Sequence, residues 1–130
     1  MGKLEEKMLL TFLNDKEYLL NKFSELAKIK ELNYTIEELI SIEDNFFELL
    51  DNDEFCKIYH IYIGEVILKY IKGEWSIGKL KKDPAYHLPI ILELDKNKMR
   101  LCPMDDWFGL LKSGRLQEGI SSMVKRVAKI

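Results

Sequence analysis

The sequence predicts one α+β domain over residues 1–130: helices first, then a small antiparallel sheet, then two helices. The chain has 130 residues, of which 47% are hydrophobic. This hydrophobic fraction suffices to form one core, and the chain is too short to form two. Apolar residues recur at helical spacing in the amino-terminal half, whereas short strand-like runs separated by turn residues follow residue 73. No internal repeat or linker divides the chain.

The amino-terminal half predicts the first helices. Apolar spacing before residue 30 indicates one long helix, or two short ones of which Asp15 caps the second. Thr35 and Glu38 have the spacing in which each side chain satisfies the other residue's backbone N–H, so a helix is expected over 36–50. Residues 54–72 are apolar around most of the helical circumference, which predicts a central helix buried on several sides. The apolar residues of the first segment are Leu4, Met8, Phe12, Leu19, Phe23 and Leu26.

The carboxyl-terminal half predicts the sheet and the last two helices. A short strand is expected at 74–78, and residues 87–94 and 99–102 form a hairpin around a four-residue turn, which gives three antiparallel strands. Pro103 is suited to the first position of a helix, because its missing N–H is not needed there. A final helix is expected over 116–129.

Charge is distributed unevenly along the chain. The formal net charge is −2, yet residues 31–56 contain nine acids and no Lys or Arg. Such a segment would repel nucleic acid and speed the association of a basic partner. The alternative is an ordinary solvated helix face whose charge is neutralised by lysines from elsewhere in the chain. We expect an acidic helical surface that binds a basic protein, through Glu37, Glu38, Glu43, Asp44, Glu48 and Asp51.

Four residues have the chemistry of zinc ligands. Cys56 and His60 lie one helical turn apart, and His87 and Cys102 complete a set of four. The paired short spacings of structural zinc sites are missing, so free thiols and no bound metal are expected, and a structural zinc module is the weaker alternative. The sequence also lacks a phosphate-binding glycine loop, a nucleophile elbow and a metalloprotease motif, so the signatures of phosphate-binding proteins, hydrolases and zinc proteases are absent, and no cofactor is expected.

Glu65 supports an alternative function. It lies in an otherwise apolar segment, where a carboxylate in a cleft could serve a small enzyme or a ligand-binding domain. That pocket would be formed by His60, Tyr62, Glu65 and Trp75. Lys69 follows Glu65 by four residues, the favourable order for an exposed helical ion pair, and this is the simpler interpretation.

Several short motifs lie between residues 59 and 114: Tyr62-Ile63-Gly64-Glu65-Val66-Ile67, Gly73-Glu74-Trp75, Cys102-Pro103, Trp107-Phe108 and Gly114. In these motifs the sequence resembles small bacterial α+β domains, some of which are immunity proteins that neutralise toxins. The resemblance implies a non-enzymatic, protein-binding role against a toxin domain, and it implies no catalytic residues.

The sequence also bears on cellular location. No apolar run approaches the ~20 residues that a membrane-spanning helix needs. The first seven residues include Glu5 and Glu6, and acids are foreign to the start of a secretion signal. We therefore expect a cytoplasmic protein with no membrane or nucleic-acid partner, and the sequence leaves its oligomeric state open.

Overall fold

The computed structural model describes residues 2–45, 49, 51–94, 100, 101, 113 and 119–129. Within these residues it contains four helices and an antiparallel sheet, which confirms the α+β class. The elements in chain order are α1 (Lys3–Ala27), α2 (Ile36–Asn45), α3 (Asp53–Tyr70), β1 (Gly73–Ile77), β2 (Pro89–Glu93), β3 (Arg100–Leu101) and α4 (Ile120–Ala128).

The core forms where α3 packs against α1. Nine of the 18 residues of α3 are buried, because its apolar residues occupy most of the helical circumference. Phe23 of α1 is fully buried and stacks on Tyr62 with ring centroids 4.7 Å apart. It also stacks on Phe55 at 5.7 Å, so one aromatic side chain of α1 contacts two turns of α3.

The sheet packs on the same core. β1 pairs with β2 in antiparallel register from Gly73–Glu93 to Ile77–Pro89, and β2 pairs with the two residues of β3. Trp75 and Ile91 face inward from this sheet. Gly78 then forms a bridge with Tyr86, where a Cβ would lie 2.0 Å from the carbonyl oxygen of Ala85. Only glycine permits the chain to approach itself so closely here.

Several details differ from the expectations. α1 is one unbroken helix, which is the first of the two expected alternatives, so Asp15 lies inside it and caps no second helix. Leu4 is 58% exposed although its spacing placed it on the core face, and Leu26 is 41% exposed. The expected turn at 95–98 and the expected helix after Pro103 lie outside the described residues. So do Phe46, Phe47 and Leu50 at the end of the expected second helix, and Trp107, Phe108 and Gly114.

Among the helices of the described residues, none combines the length and the apolar composition that crossing a bilayer requires.

Candidate functional site

The acids of α2 divide into an outer pair and an inner pair. Glu37 and Asp44 are exposed, as is Ser41 between them, and Ile40 is 37% exposed. Residues seven apart lie on nearly the same side of a helix, about 10 Å apart along its axis. We call the surface formed by Glu37, Ile40, Ser41 and Asp44 the acidic face. It presents one carboxylate on each side of the apolar side chain of Ile40.

Glu38 belongs to the inner pair. Its side chain is only 9% exposed, and its carboxylate accepts hydrogen bonds from the backbone N–H groups of Asn33 (2.9 Å) and Tyr34 (3.0 Å) and from the hydroxyl of Tyr62 (2.7 Å). Its own N–H donates to Oγ1 of Thr35, as the helix-start spacing predicts. Glu38 therefore holds the chain entering α2 and is not part of the exposed surface.

Glu43 is the second inner acid. Its Oε2 accepts a hydrogen bond from the backbone N–H of Ser121 at 3.0 Å, at the amino-terminal end of α4. A carboxylate is favourable there because the first backbone N–H groups of a helix have no partner within the helix. Gly119 makes room for this contact, since a Cβ would lie 1.6 Å from Oε1 of Glu43. Glu43 thus joins α2 to α4.

The remaining acids of the segment have different surroundings. Asp51 is exposed just before α3, and Glu48 lies outside the described residues. Glu54 hydrogen-bonds with Lys22 of α1. This contact lowers the pKa of the Glu54 carboxyl and raises the pKa of the Lys22 ammonium group. A lysine of α1 therefore neutralises one of the acids of residues 31–56.

Glu65 connects three elements instead of lining a cleft beside a histidine. Its Oε1 accepts a hydrogen bond from Nζ of Lys16 on α1, and its Oε2 accepts one from Nε1 of Trp75 on β1, both at 3.0 Å. The expected pair with Lys69 does not form, because that ammonium group donates to the carbonyl oxygen of Asn33. We call the Lys16–Glu65–Trp75 cluster the brace.

The structure does not gather the four residues of the expected ligand pocket. Tyr62 is fully buried and bonded to Glu38, while Glu65 and Trp75 line a smaller cavity of about 380 Å³. His60 lies in a different and larger groove. Burial, then the hydrogen bond to Glu38, raises the pKa of the Tyr62 hydroxyl.

The larger groove is a feature that the sequence did not predict. It has a volume of about 820 Å³ and lies between α1, α3 and the chain around residues 87–89. Cys56, His60 and His87 line it, so three of the four zinc-type residues border one groove. Among the described residues no three His, Cys, Asp or Glu side chains form a group that could hold a metal ion, and Cys102 lies outside them.

The sequence contained a partial signal for the groove. Met8 and Phe12 share a helical stripe with Leu4, and all three line the groove. Periodicity identifies such a stripe but not the element that covers it.

Comparison with known proteins gives no relative from which a family could be assigned. No protein-family model, no curated protein and no solved structure matches this chain.

Proposed function

We propose that the protein binds a basic partner protein through the acidic face of α2. The observation that carries the proposal is the exposure of Glu37 and Asp44 along one stripe, with the half-exposed Ile40 between them. Carboxylates at the edge of an interface steer a cationic partner and fix its orientation. An apolar side chain at the centre supplies contact area that excludes water.

The proposed site is narrower than the six acids expected from the sequence. Glu38 and Glu43 contribute to the fold, so the exposed charge of α2 comes from Glu37 and Asp44. Asp51, exposed just before α3, extends the negative surface, and Glu48 remains a proposed contact from the sequence alone because it lies outside the described residues.

We further propose an immunity-type role for this binding. A basic partner that cleaves or binds nucleic acid needs cationic side chains to hold phosphates. Carboxylates fixed on a helix would occupy the positions of those phosphates and block the cleft competitively. The resemblance of residues 59–114 to immunity domains supports this role, and a cytoplasmic, non-enzymatic protein fits it.

Charge reversal tests the acidic face. The wild-type chain and a Glu37→Lys/Asp44→Lys variant would each be immobilised and exposed to a lysate of the source organism at low and high salt. The wild type should retain a basic protein and release it as salt rises, because exposed charge pairs are screened. The reversed variant should bind that protein roughly tenfold more weakly or worse.

A matched control separates the acidic face from net charge. Glu6 and Glu17 are exposed acids of α1, so a Glu6→Lys/Glu17→Lys variant changes the net charge equally at another place. Both variants should melt at temperatures close to that of the wild type. Retention that is equal in all three proteins would contradict the proposed surface, and a captured protein whose activity is not inhibited would contradict the immunity role.

A further inference from the structure

The groove is bordered by an apolar stripe that no element of the described chain covers. Leu4 at its edge is 58% exposed and Leu88 on the opposite wall is 37% exposed. Met8 and Phe12 extend the stripe inward, where Ile61 and Ile77 form the floor. Exposed apolar surface that continues into a concave site is characteristic of a place where a ligand binds.

We propose that this groove binds an uncharged, mostly apolar small molecule that carries one hydrogen-bonding group. Its volume of about 820 Å³ falls in the range of roughly 300–1,000 Å³ typical of small-molecule sites. The proposal is independent of partner binding by the acidic face, because α2 contributes no residue to the groove lining.

The charges around the groove indicate an uncharged ligand. Lys7 of α1 and Lys57 of α3 line it, and so do Asp15 of α1 and Asp53 of α3. Each of the two helices therefore contributes one cation and one anion. A ligand with a net charge of either sign would gain from one pair and be repelled by the other, whereas an uncharged ligand meets a balanced surface.

His87 supplies the polar contact. Its Nε2 atom is buried and has no hydrogen-bond partner among the described residues, and the nearest carboxylate oxygen, Oε1 of Glu5, is 3.9 Å away. The ring stacks on Tyr86 with centroids 3.8 Å apart, and the backbone of His87 has a φ of 60°. A ligand hydroxyl placed in this part of the groove would satisfy a buried nitrogen that otherwise lacks a partner.

Fluorescence titration with N-phenylnaphthylamine, an uncharged apolar probe, tests the groove. Thr11 is an exposed residue of its lining, so Thr11→Phe would narrow the groove without removing a core side chain. Asn14→Phe places the same bulk on exposed α1 surface outside the lining. We expect saturable binding of one probe per chain to the wild type and to Asn14→Phe, and at least fivefold weaker binding to Thr11→Phe.

Displacement of the probe tests the ligand class. β-Naphthol and β-methylnaphthalene have similar shapes, and only the first carries a hydroxyl. The wild type should prefer β-naphthol by about fivefold, the value of one net hydrogen bond. In His87→Asn, which retains a residue tolerant of positive φ, the preference should disappear. β-Naphthoate should displace the probe more weakly than β-naphthol.

Each opposite result would overturn a stated part of the proposal. Equal probe binding by Thr11→Phe and Asn14→Phe would exclude the groove as the site. A preference for β-naphthol that survives in His87→Asn would exclude His87 as the polar contact, and equal displacement by β-naphthoate would contradict an uncharged ligand. Probe binding that weakens as the protein associates with itself would mean that a second copy of the chain occupies the groove.

Discussion

At the scale of single residues, the surroundings of Glu38 differ most from those of the neighbouring acids. Its carboxylate accepts three hydrogen bonds, two from the chain before α2 and one from Tyr62 on α3. Tyr34, one of the backbone donors, has a φ of 59°, a conformation that costs free energy in a bulky residue. The contact with Glu38 helps to hold that conformation.

Replacement of Glu38 by alanine should destabilise the protein strongly. The Glu38→Ala change leaves two backbone donors and the Tyr62 hydroxyl without their acceptor, so the free energy of unfolding should fall by about 2–4 kcal/mol. Glu37→Ala, at the exposed neighbouring position, should change it by less than about 0.5 kcal/mol. Urea denaturation followed by circular dichroism measures both values, and similar values for the two variants would contradict this account.

The sequence predicted half of this arrangement. The spacing of Thr35 and Glu38 predicts a helix start with reciprocal hydrogen bonds; the Glu38 N–H does donate to Thr35, but the Thr35 N–H donates to Oδ1 of Asn33 instead of to Glu38. The other half depends on Tyr62, which lies 24 residues away, and a contact over that distance arises from the packing of α2 near α3. Local pattern alone therefore placed Glu38 on the surface with its neighbours.

At the scale of elements, the brace joins α1, α3 and β1 through one carboxylate. Glu65 accepts from Lys16 and Trp75, and the Trp75 ring meets Phe12 of α1 edge-on at 4.8 Å. The side chains of Lys16 and Glu65 are 23% and 19% exposed, so solvent screens this ion pair only partly. Glu65 and Trp75, which lie in two of the short motifs described above, are thus held together by a structural contact.

A double-mutant cycle measures the hydrogen bond within the brace. Glu65→Ala should lower the free energy of unfolding by about 1–3 kcal/mol, because it leaves the Trp75 N–H and the Lys16 ammonium group without their acceptor. Trp75→Phe removes one donor, and the double variant should show a coupling of about 0.5–2 kcal/mol. Glu74→Ala, the exposed neighbour, is the control. Strictly additive effects would show that Glu65 and Trp75 act separately.

Helical periodicity predicted which residues of α1 share a side but not what that side contacts. Phe23, from the carboxyl-terminal half, is buried in the core as expected, whereas Leu20 is buried although the expected residue was Leu19, which is only partly buried. Leu4 and Met8 lie on the same stripe but border the groove. The difference depends on how far α3 and the chain near residue 88 extend along α1, which is a property of the tertiary arrangement.

At the scale of the whole molecule, the tyrosines couple the fold to alkaline pH. Burial raises the pKa of the Tyr59 and Tyr62 hydroxyls. The negative charge of Glu43 raises the pKa of Tyr59 further, and the hydrogen bond to Glu38 raises that of Tyr62 further. An unfolded tyrosine titrates near a pH of roughly 10. A folded pKa above that value means that the stabilisation is complete below pH 10 and is lost as the pH rises past it.

Alkaline titration should therefore unfold the protein and ionise these tyrosines together. Absorbance of the phenolate and circular dichroism, followed together, should show Tyr59 and Tyr62 ionising only as the helices melt. Tyr62→Phe removes one of the groups that resist ionisation. The free energy of unfolding of that variant should therefore fall less steeply as the pH rises above 10. Ionisation of all tyrosines in a folded protein would contradict this coupling.

Summed charge was a poor guide to the position of individual carboxylates. The surplus of acids over residues 31–56 is a property of the sequence, yet it does not determine which acids face solvent. Glu38 and Glu43 accept hydrogen bonds from backbone N–H groups inside the fold, and Glu54 forms an ion pair with Lys22. Only the three-dimensional arrangement distinguishes these acids from Glu37 and Asp44.

α2 is fastened at both ends, which matters for the proposed binding of a basic partner. Glu38 ties its beginning to α3 and Glu43 ties its end to α4, so the short helix is already ordered before any encounter. A preordered surface loses little conformational entropy on association. The rate of the proposed association is then set by diffusion and electrostatic attraction, without a folding step.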